Sequence, residues 1–136
     1  MSDLLEAAHK AAAQALSHGA NEAKVAISRS RGIDIEWRDG QLERVQERTR
    51  RSLSAEIYVD GRYSVSSTSD LRPEAMEAFF AEAVTMTRLL EPDPHRGLPD
   101  ANAYGGRAEI DLDLFDGGQA KLSSEQRRQT AAEIET

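Results

Sequence analysis

Residues 32–71, GIDIEWRDGQLERVQERTRRSLSAEIYVDGRYSVSSTSDL, contain two Asp-Gly pairs, Asp39-Gly40 and Asp60-Gly61, each set between runs of alternating apolar and polar residues. In an extended chain successive side chains point to opposite faces, so Ile33, Ile35 and Trp37 share one side while Asp34, Glu36 and Arg38 share the other. Leu53, Ala55, Ile57 and Val59 repeat the pattern before the second pair. A two-residue type I′ turn needs positive φ at both central positions, which Gly adopts freely and Asp tolerates. The stretch therefore predicts hairpins.

Outward from the hairpins, Ala23, Val25 and Ile27 alternate with charged or small residues and predict a preceding strand. Between the Asp-Gly pairs, Gln41 to Arg51 has Leu42 and Val45 out of the period of two, and the reading there is a strand with a bulge. After the second pair, Tyr63, Val65 and Ser67 form one face of a closing strand. Asp3 to His18 carries Leu4, Leu5, Ala8, Ala12, Ala15 and Leu16 at helical spacing, opens with Asp3-x-x-Glu6 and stops before Gly19. A second helix starts near Asp70 or Pro73, carries Met76, Phe79, Phe80, Ala83, Val84 and Thr87 as its stripe, and ends before Pro92 and Pro94. The expected fold is a two-layer α+β domain, an antiparallel sheet of about four strands built from hairpins and packed against two amphipathic helices.

The domain is expected to occupy residues 1–98. Glu91 to Gly106 has no periodicity and reads as a surface connection. Ile110, Leu112 and Leu114 then alternate with acids as a half-exposed strand would, and Gly117-Gly118 reads as a hinge. Ser123 to Glu135 opens like a helix, with Ser123 as cap and Gln126 three residues on. Because that helix meets no terminator before Thr136, residues 99–136 are read as a connection and the truncated start of a following domain.

Composition narrows the function classes. The 136 residues suit one domain, and the formal net charge of −7 comes from the second half: residues 1–68 hold ten acids and ten bases, residues 69–136 fourteen and seven. Such a balance does not suit a phosphate backbone or an anionic membrane surface. With no cysteine there is no disulfide, thiolate nucleophile or Cys-based metal site. The N-terminal residues Met-Ser-Asp-Leu-Leu-Glu lack a basic leader, and no apolar run approaches a membrane span, so a soluble, intracellular protein is expected.

No constellation of residues supplies a mechanism. His9, His18 and His95 are far apart in sequence and outside any His-Glu-x-x-His pattern, so no metal ligand is assigned, and His9 and His18 read as helix-surface residues. Asp111, Asp113 and Asp116-Gly117 superficially resemble a calcium loop, but Phe115 and Leu122 stand where ligands are needed. Ser64, Ser66, Ser67, Thr68 and Ser69 lack a Gly-x-Ser-x-Gly elbow and fit a strand entering a helix. The basic knot Arg44, Arg48, Arg50 and Arg51 is interleaved with Glu43 and Glu47 and reads as a solvated strand face, with a surface for an acidic partner as the alternative. Gly105-Gly106 and Gly117-Gly118 lack the Lys-Ser/Thr of a phosphate loop. No catalytic, cofactor-binding or metal residue is assigned.

The order and spacing of several short pieces resemble the N-terminal domain of the TldD/PmbA family, the proteins named as modulators of DNA gyrase. The pieces are Gly19-Ala20-Asn21-Glu22-Ala23, Gly32 through Val45 with Asp39-Gly40-Gln41-Leu42-Glu43, Tyr58-Val59-Asp60-Gly61-Arg62, and Ser66-Ser67-Thr68-Ser69-Asp70-Leu71. Residues 91–98, Glu-Pro-Asp-Pro-His-Arg-Gly-Leu, and 111–116, Asp-Leu-Asp-Leu-Phe-Asp, resemble the PmbA (TldE) branch more than TldD. The chain departs from the family in carrying serine near Ser52 to Ser54 and at Ser64, where glycines are expected. The family's metal-binding His-Glu-x-x-x-His lies in a later region of TldD-type subunits, so no catalytic residue carries over. The resemblance implies a cytoplasmic TldD–PmbA heterodimeric zinc metallopeptidase acting on small or unfolded peptides, with the zinc on the TldD-like partner and this domain non-catalytic. A stand-alone protein-interaction module without chemistry is the alternative, and self-association through a sheet edge is open to either.

Overall fold

The computed structural model describes residues 2–106, 110–114 and 116–135. Its elements are α1 (Ser2–Ser17), β1 (Glu22–Arg38), β2 (Gln41–Val59), β3 (Arg62–Thr68), α2 (Pro73–Thr87), two short 3-10 turns (Ala101–Tyr104 and Gln119–Lys121) and α3 (Ser124–Glu135). The sheet has three strands in the order β1-β2-β3. The class is α+β as the sequence predicts, with three strands in place of about four. The surplus strand came from dividing Ala23–Ile27 from Ile33–Trp37. Between them lie Arg29 to Gly32, where no residue has positive φ, so the backbone stays extended and the two stretches are one strand of 17 residues.

Both Asp-Gly pairs turn as their chemistry requires, with φ of 51° and 72° at Asp39 and Gly40 and of 49° and 72° at Asp60 and Gly61. All four angles are positive, as type I′ demands. The chain divides into two compact units, Met1–Ser30 with Arg50–Ala103 and Arg31–Thr49 with Tyr104–Thr136.

The first unit holds the core. Leu53, Ala55, Ile57 and Val59 are all fully buried, and they meet Ala11 and Ala15 of α1 and Met76, Phe80, Ala83 and Val84 of α2. Fully burying each of the larger side chains is worth about 1.5–3 kcal/mol against exposure. β2 pairs antiparallel with β3 with Ile57 opposite Ser64, Ala55 opposite Ser66 and Leu53 opposite Thr68, so the hydroxyl side of β3 shares the helix-covered face. Val65, on the other side, is 56% exposed.

α1 buries alanines, which lets it lie close to the sheet, while Leu5 and Leu16 of its predicted stripe are exposed. It ends where expected: Gly19 has φ of +99°, and the Gly19 and Ala20 amides donate to the carbonyls of Leu16 and Ala15 at 3.0 and 3.1 Å. A Cβ at Gly19 would also stand 2.5 Å from the Arg88 guanidinium.

Among the described residues of the second unit, the regular elements are the outer part of the β1–β2 hairpin, the 3-10 turn Gln119–Lys121 and α3. The Ser123 hydroxyl accepts from the Gln126 amide at 3.1 Å while the Gln126 side chain accepts from the Ser123 amide at 2.8 Å, the reciprocal box the sequence predicts. The half-exposed strand expected over residues 110–116 is absent among its described residues. Ile110, Leu112 and Leu114 are 76%, 62% and 86% exposed, and with no strand beside them their alternation has nothing to pair against. Phe115 lies outside the described residues.

Candidate functional site

The sequence-predicted candidates fall into separate, structurally explained places. His9 is exposed on α1, whereas His18, just past its end, is half-buried with Nε2 3.0 Å from Oε1 of Glu77 on α2 but makes no hydrogen bond there. The His95 amide donates to the Asp93 carboxylate at 3.0 Å within a local turn. Asp111 accepts from the Asp113 amide at 2.9 Å and Asp116 from the Gly118 amide at 2.7 Å, each closing its own turn without converging on a common point. Among the described residues no group of three His, Asp or Glu side chains could hold a metal ion.

The Ser/Thr cluster is divided by the alternation of β3. Ser64 shares a 2.6 Å hydroxyl–hydroxyl bond with Thr87, and Thr68 Oγ1 accepts from the Asp70 amide at 3.1 Å. Asp70 in turn accepts from the Arg72 backbone amide at 3.1 Å and from Nε of its side chain, which holds the Asp70 carboxyl down at about 2. These groups organise the entry to α2.

The basic knot resolves into two kinds of arginine. Along the outer hairpin the cations are paired across the strands: Arg31 with Glu47 at 2.6 Å, Arg48 with Asp34 at 2.7 Å, Arg44 with Glu36, and Arg38 with Glu43 at 3.6 Å. Exposed pairs of this kind are worth about 0–1 kcal/mol each, and their effect is on register and on which strands can pair. Arg50 is exposed, with no carboxylate partner among the described residues; Arg51 differs again, as does Arg29, which the sequence reading passed over. Ser28 and Ser52, whose hydroxyls are 2.8 Å apart, are their immediate neighbours, and both arginines line one groove. Among the described residues neither has a carboxylate partner.

That groove, about 550 Å3, is lined by the apolar side chains of Leu4, Ile27, Leu71 and Met76, with Asp3 and Lys10 beside the two arginines. The sequence signal was present in the alternation: Arg29 follows Ile27 by two, and Arg51 precedes Leu53 by two, so both fall on the face that is buried further along. Apolar side chains, three cations and one carboxylate therefore line the same groove.

A third feature is the strap formed by residues 90–98, read from sequence only as a surface connection. The Asp93 amide donates to the Gly61 carbonyl at 2.8 Å, Arg62 Nε to the Leu90 carbonyl at 2.8 Å, and the Leu98 amide to Glu22 at 3.2 Å. The Arg96 guanidinium lies 4.8 Å from the centre of the Tyr63 ring, which packs 5.0 Å from Tyr58. Burial, reinforced by Glu56, raises the Tyr58 hydroxyl above its usual range. On the face of β3 that the helices leave open, the strap meets Tyr63, while Val65 farther along stays exposed.

Comparison with known proteins places this architecture. Residues 23–87, from β1 through α2, match the profile of PmbA/TldA metallopeptidase domain 1. The chain is 31% identical over 132 residues to the metalloprotease PmbA of Escherichia coli O157:H7, covering 97% of this chain and 29% of that protein. Among solved structures it is similar to a candidate modulator of DNA gyrase from Bacteroides thetaiotaomicron VPI-5482, with a TM-score of 0.89 and 31% identity over 98% of this chain and 30% of that one. It also shares the fold of TldE from Thermococcus kodakarensis, with a TM-score of 0.67 and 18% identity over 87% of this chain and 25% of that one. The chain thus spans about three tenths of the length of the PmbA and Bacteroides relatives. Together these likenesses bear out the resemblance carried by the Asp-Gly turns and the pieces around them: residues 23–87 form a first domain of the TldD/PmbA type, and nearly the whole chain is similar to PmbA.

Proposed function

We propose that this chain serves as the first domain of a PmbA/TldE-like subunit in a cytoplasmic heterodimeric zinc metallopeptidase that processes or degrades small or unfolded peptides, and that the domain itself is non-catalytic and shapes the complex or its substrate chamber. The observation that carries the proposal is the profile match from β1 through α2, because it covers the elements that bury the core. The zinc in this reading belongs to the TldD-type partner. The described residues of this chain do not fit a zinc site, since no three ligating side chains converge, and no step through a metal is assigned to them. What the chain supplies is a rigid sheet, an apolar groove with two cations, and a strapped outer face.

The test is co-purification with a TldD-like protein from the native cell, followed by elemental analysis and peptidase assays on each part. The complex should hold zinc and cleave unfolded peptides, while the chain alone should hold no stoichiometric zinc and cleave nothing. Stoichiometric zinc in the purified chain would overturn the assignment. The Bacteroides relative's name favours a second reading, an interaction module without chemistry. In that case no TldD-like protein would accompany the chain, and a gyrase-related partner would.

A further inference from the structure

We propose that the groove between α1, α2 and the sheet is the docking site for the acidic, leucine-bearing segment Ile110–Leu114 of a second copy of this chain. The inference is independent of the peptidase reading. It starts from an imbalance in charge pairing. Arg31, Arg38, Arg44 and Arg48 are each matched with a carboxylate across the strands. Among the described residues Arg29, Arg50 and Arg51 have no carboxylate partner, and of these Arg29 and Arg51, like charges on facing strands, line the apolar groove together with Lys10 and a single carboxylate, Asp3. Like charges facing each other across a sheet oppose folding unless an anion sits between them.

The same chain carries the complement. In Ile110-Asp111-Leu112-Asp113-Leu114 the apolar side chains are exposed, Leu114 at 86%, and among the described residues neither aspartate meets a cation. Asp111 only closes a turn onto the Asp113 amide. The segment turns at Asp113, whose φ is 49°, and docking draws it out into an extended conformation with leucines on one side and carboxylates on the other. Leucines set onto Leu4, Ile27, Leu71 and Met76 would leave the carboxylates at the rim, within reach of the long side chains of Arg29 and Arg51. A twofold pair makes the exchange twice, once in each direction, which is the self-complementary arrangement of a closed dimer.

The experiment uses the 136-residue chain. Sedimentation velocity over a concentration series should show a monomer–dimer equilibrium that weakens at high salt, since exposed charges are screened. A labelled, end-capped peptide of residues 110–116 should bind the chain and compete with dimer formation. Arg29→Glu with Arg51→Glu, both at exposed positions, should lower peptide affinity at least tenfold and leave the far-ultraviolet circular dichroism unchanged. Asp111→Arg with Asp113→Arg should abolish the dimer alone and restore it when mixed with the doubly reversed groove variant. A chain that stays monomeric at every concentration overturns the proposal. So does peptide binding that survives the arginine reversal, or a dimer that the Asp111 and Asp113 reversal leaves intact.

Discussion

The hydroxyls of Ser64 on β3 and Thr87 at the end of α2 are 2.6 Å apart, and Thr87 also bonds the Ala83 carbonyl at 2.6 Å within its own helix. Because the Ala83 carbonyl can only accept, Thr87 donates to it, and Ser64 must donate to Thr87. Thr87 is fully buried, so this chain of two bonds joins helix to sheet in a region closed to water. Thr87→Val keeps the shape and removes the acceptor, leaving Ser64 with an unused donor at a loss of about 1–3 kcal/mol. Adding Ser64→Ala should recover part of that loss, since deleting both partners is gentler than orphaning one. Urea denaturation of the two single variants and the double variant checks it; strictly additive losses would rule the coupling out.

Phe80 is fully buried among the β2 side chains and meets Phe79 edge-on at 5.1 Å between ring centres. Phe80→Ala should remove about 3–5 kcal/mol of stability, a large part of what a domain of this size possesses. Phe80→Asp should leave no folded domain, because an unpaired carboxylate would replace the ring. Phe79 is only half-buried, and Phe79→Ala should be milder by at least a third. Thermal melts of the three variants decide the point, and an unmoved midpoint for Phe80→Asp would mean that α2 does not pack as described.

Much of this core could be read directly from the sequence. The stripe from Met76 to Thr87 and the alternation from Leu53 to Val59 are strong because the same residues satisfy a local period and a buried face at once. The misreadings occurred where one of those two conditions was missing. The alternations at Ala23–Ile27 and Ile33–Trp37 suggest separate strands, yet no residue from Arg29 to Gly32 has the positive φ of a turn, and they form one strand. Leu5 and Leu16 fit the helical period but sit at its edge, and the alanines take the sheet contact. Ile110 to Leu114 has the alternation of a strand and no neighbouring strand to use it. The groove was hidden for a different reason: Arg29 and Arg51 matter through each other, and which residues face each other across strands is fixed by register, which one strand's sequence does not contain.

The two turn glycines offer a test free of steric side effects. A Cβ added at Gly40 or Gly61 would meet nothing within 4 Å, so substitution reports only the conformational preference of the backbone. At φ of +72° that preference amounts to about 1–2 kcal/mol for an L-residue. Gly61→Ala lies beside the core, where the Asp60 amide donates to Asn21 at 2.7 Å and the Gly61 carbonyl accepts from Asp93, and it should lower stability by that amount. Gly19→Ala should cost more than either turn variant, since its Cβ would also displace Arg88. Chemical denaturation ranks the three, and a harmless Gly19→Ala would contradict the left-handed backbone at Gly19.

Acid sensitivity at the start of α2 follows from Asp70. Its carboxyl is held at about 2, mainly by the hydrogen bonds from the Arg72 side chain, with the Arg72 backbone amide second. The folded value lies below the ordinary value of 3.8, so the unfolded chain binds the proton more readily. The contribution is therefore complete above about pH 4 and is lost as pH falls through the folded value near 2. The group is open to solvent, which keeps the effect small and sensitive to salt. Asp70→Asn removes this titration, so the difference in stability between wild type and variant should shrink as pH falls from 5 toward 2, and it should shrink less steeply in high salt. Melting both proteins across that range checks the sign: a difference that widens on acidification would mean that Asp70 is not held in its charged form by Arg72 in the folded chain.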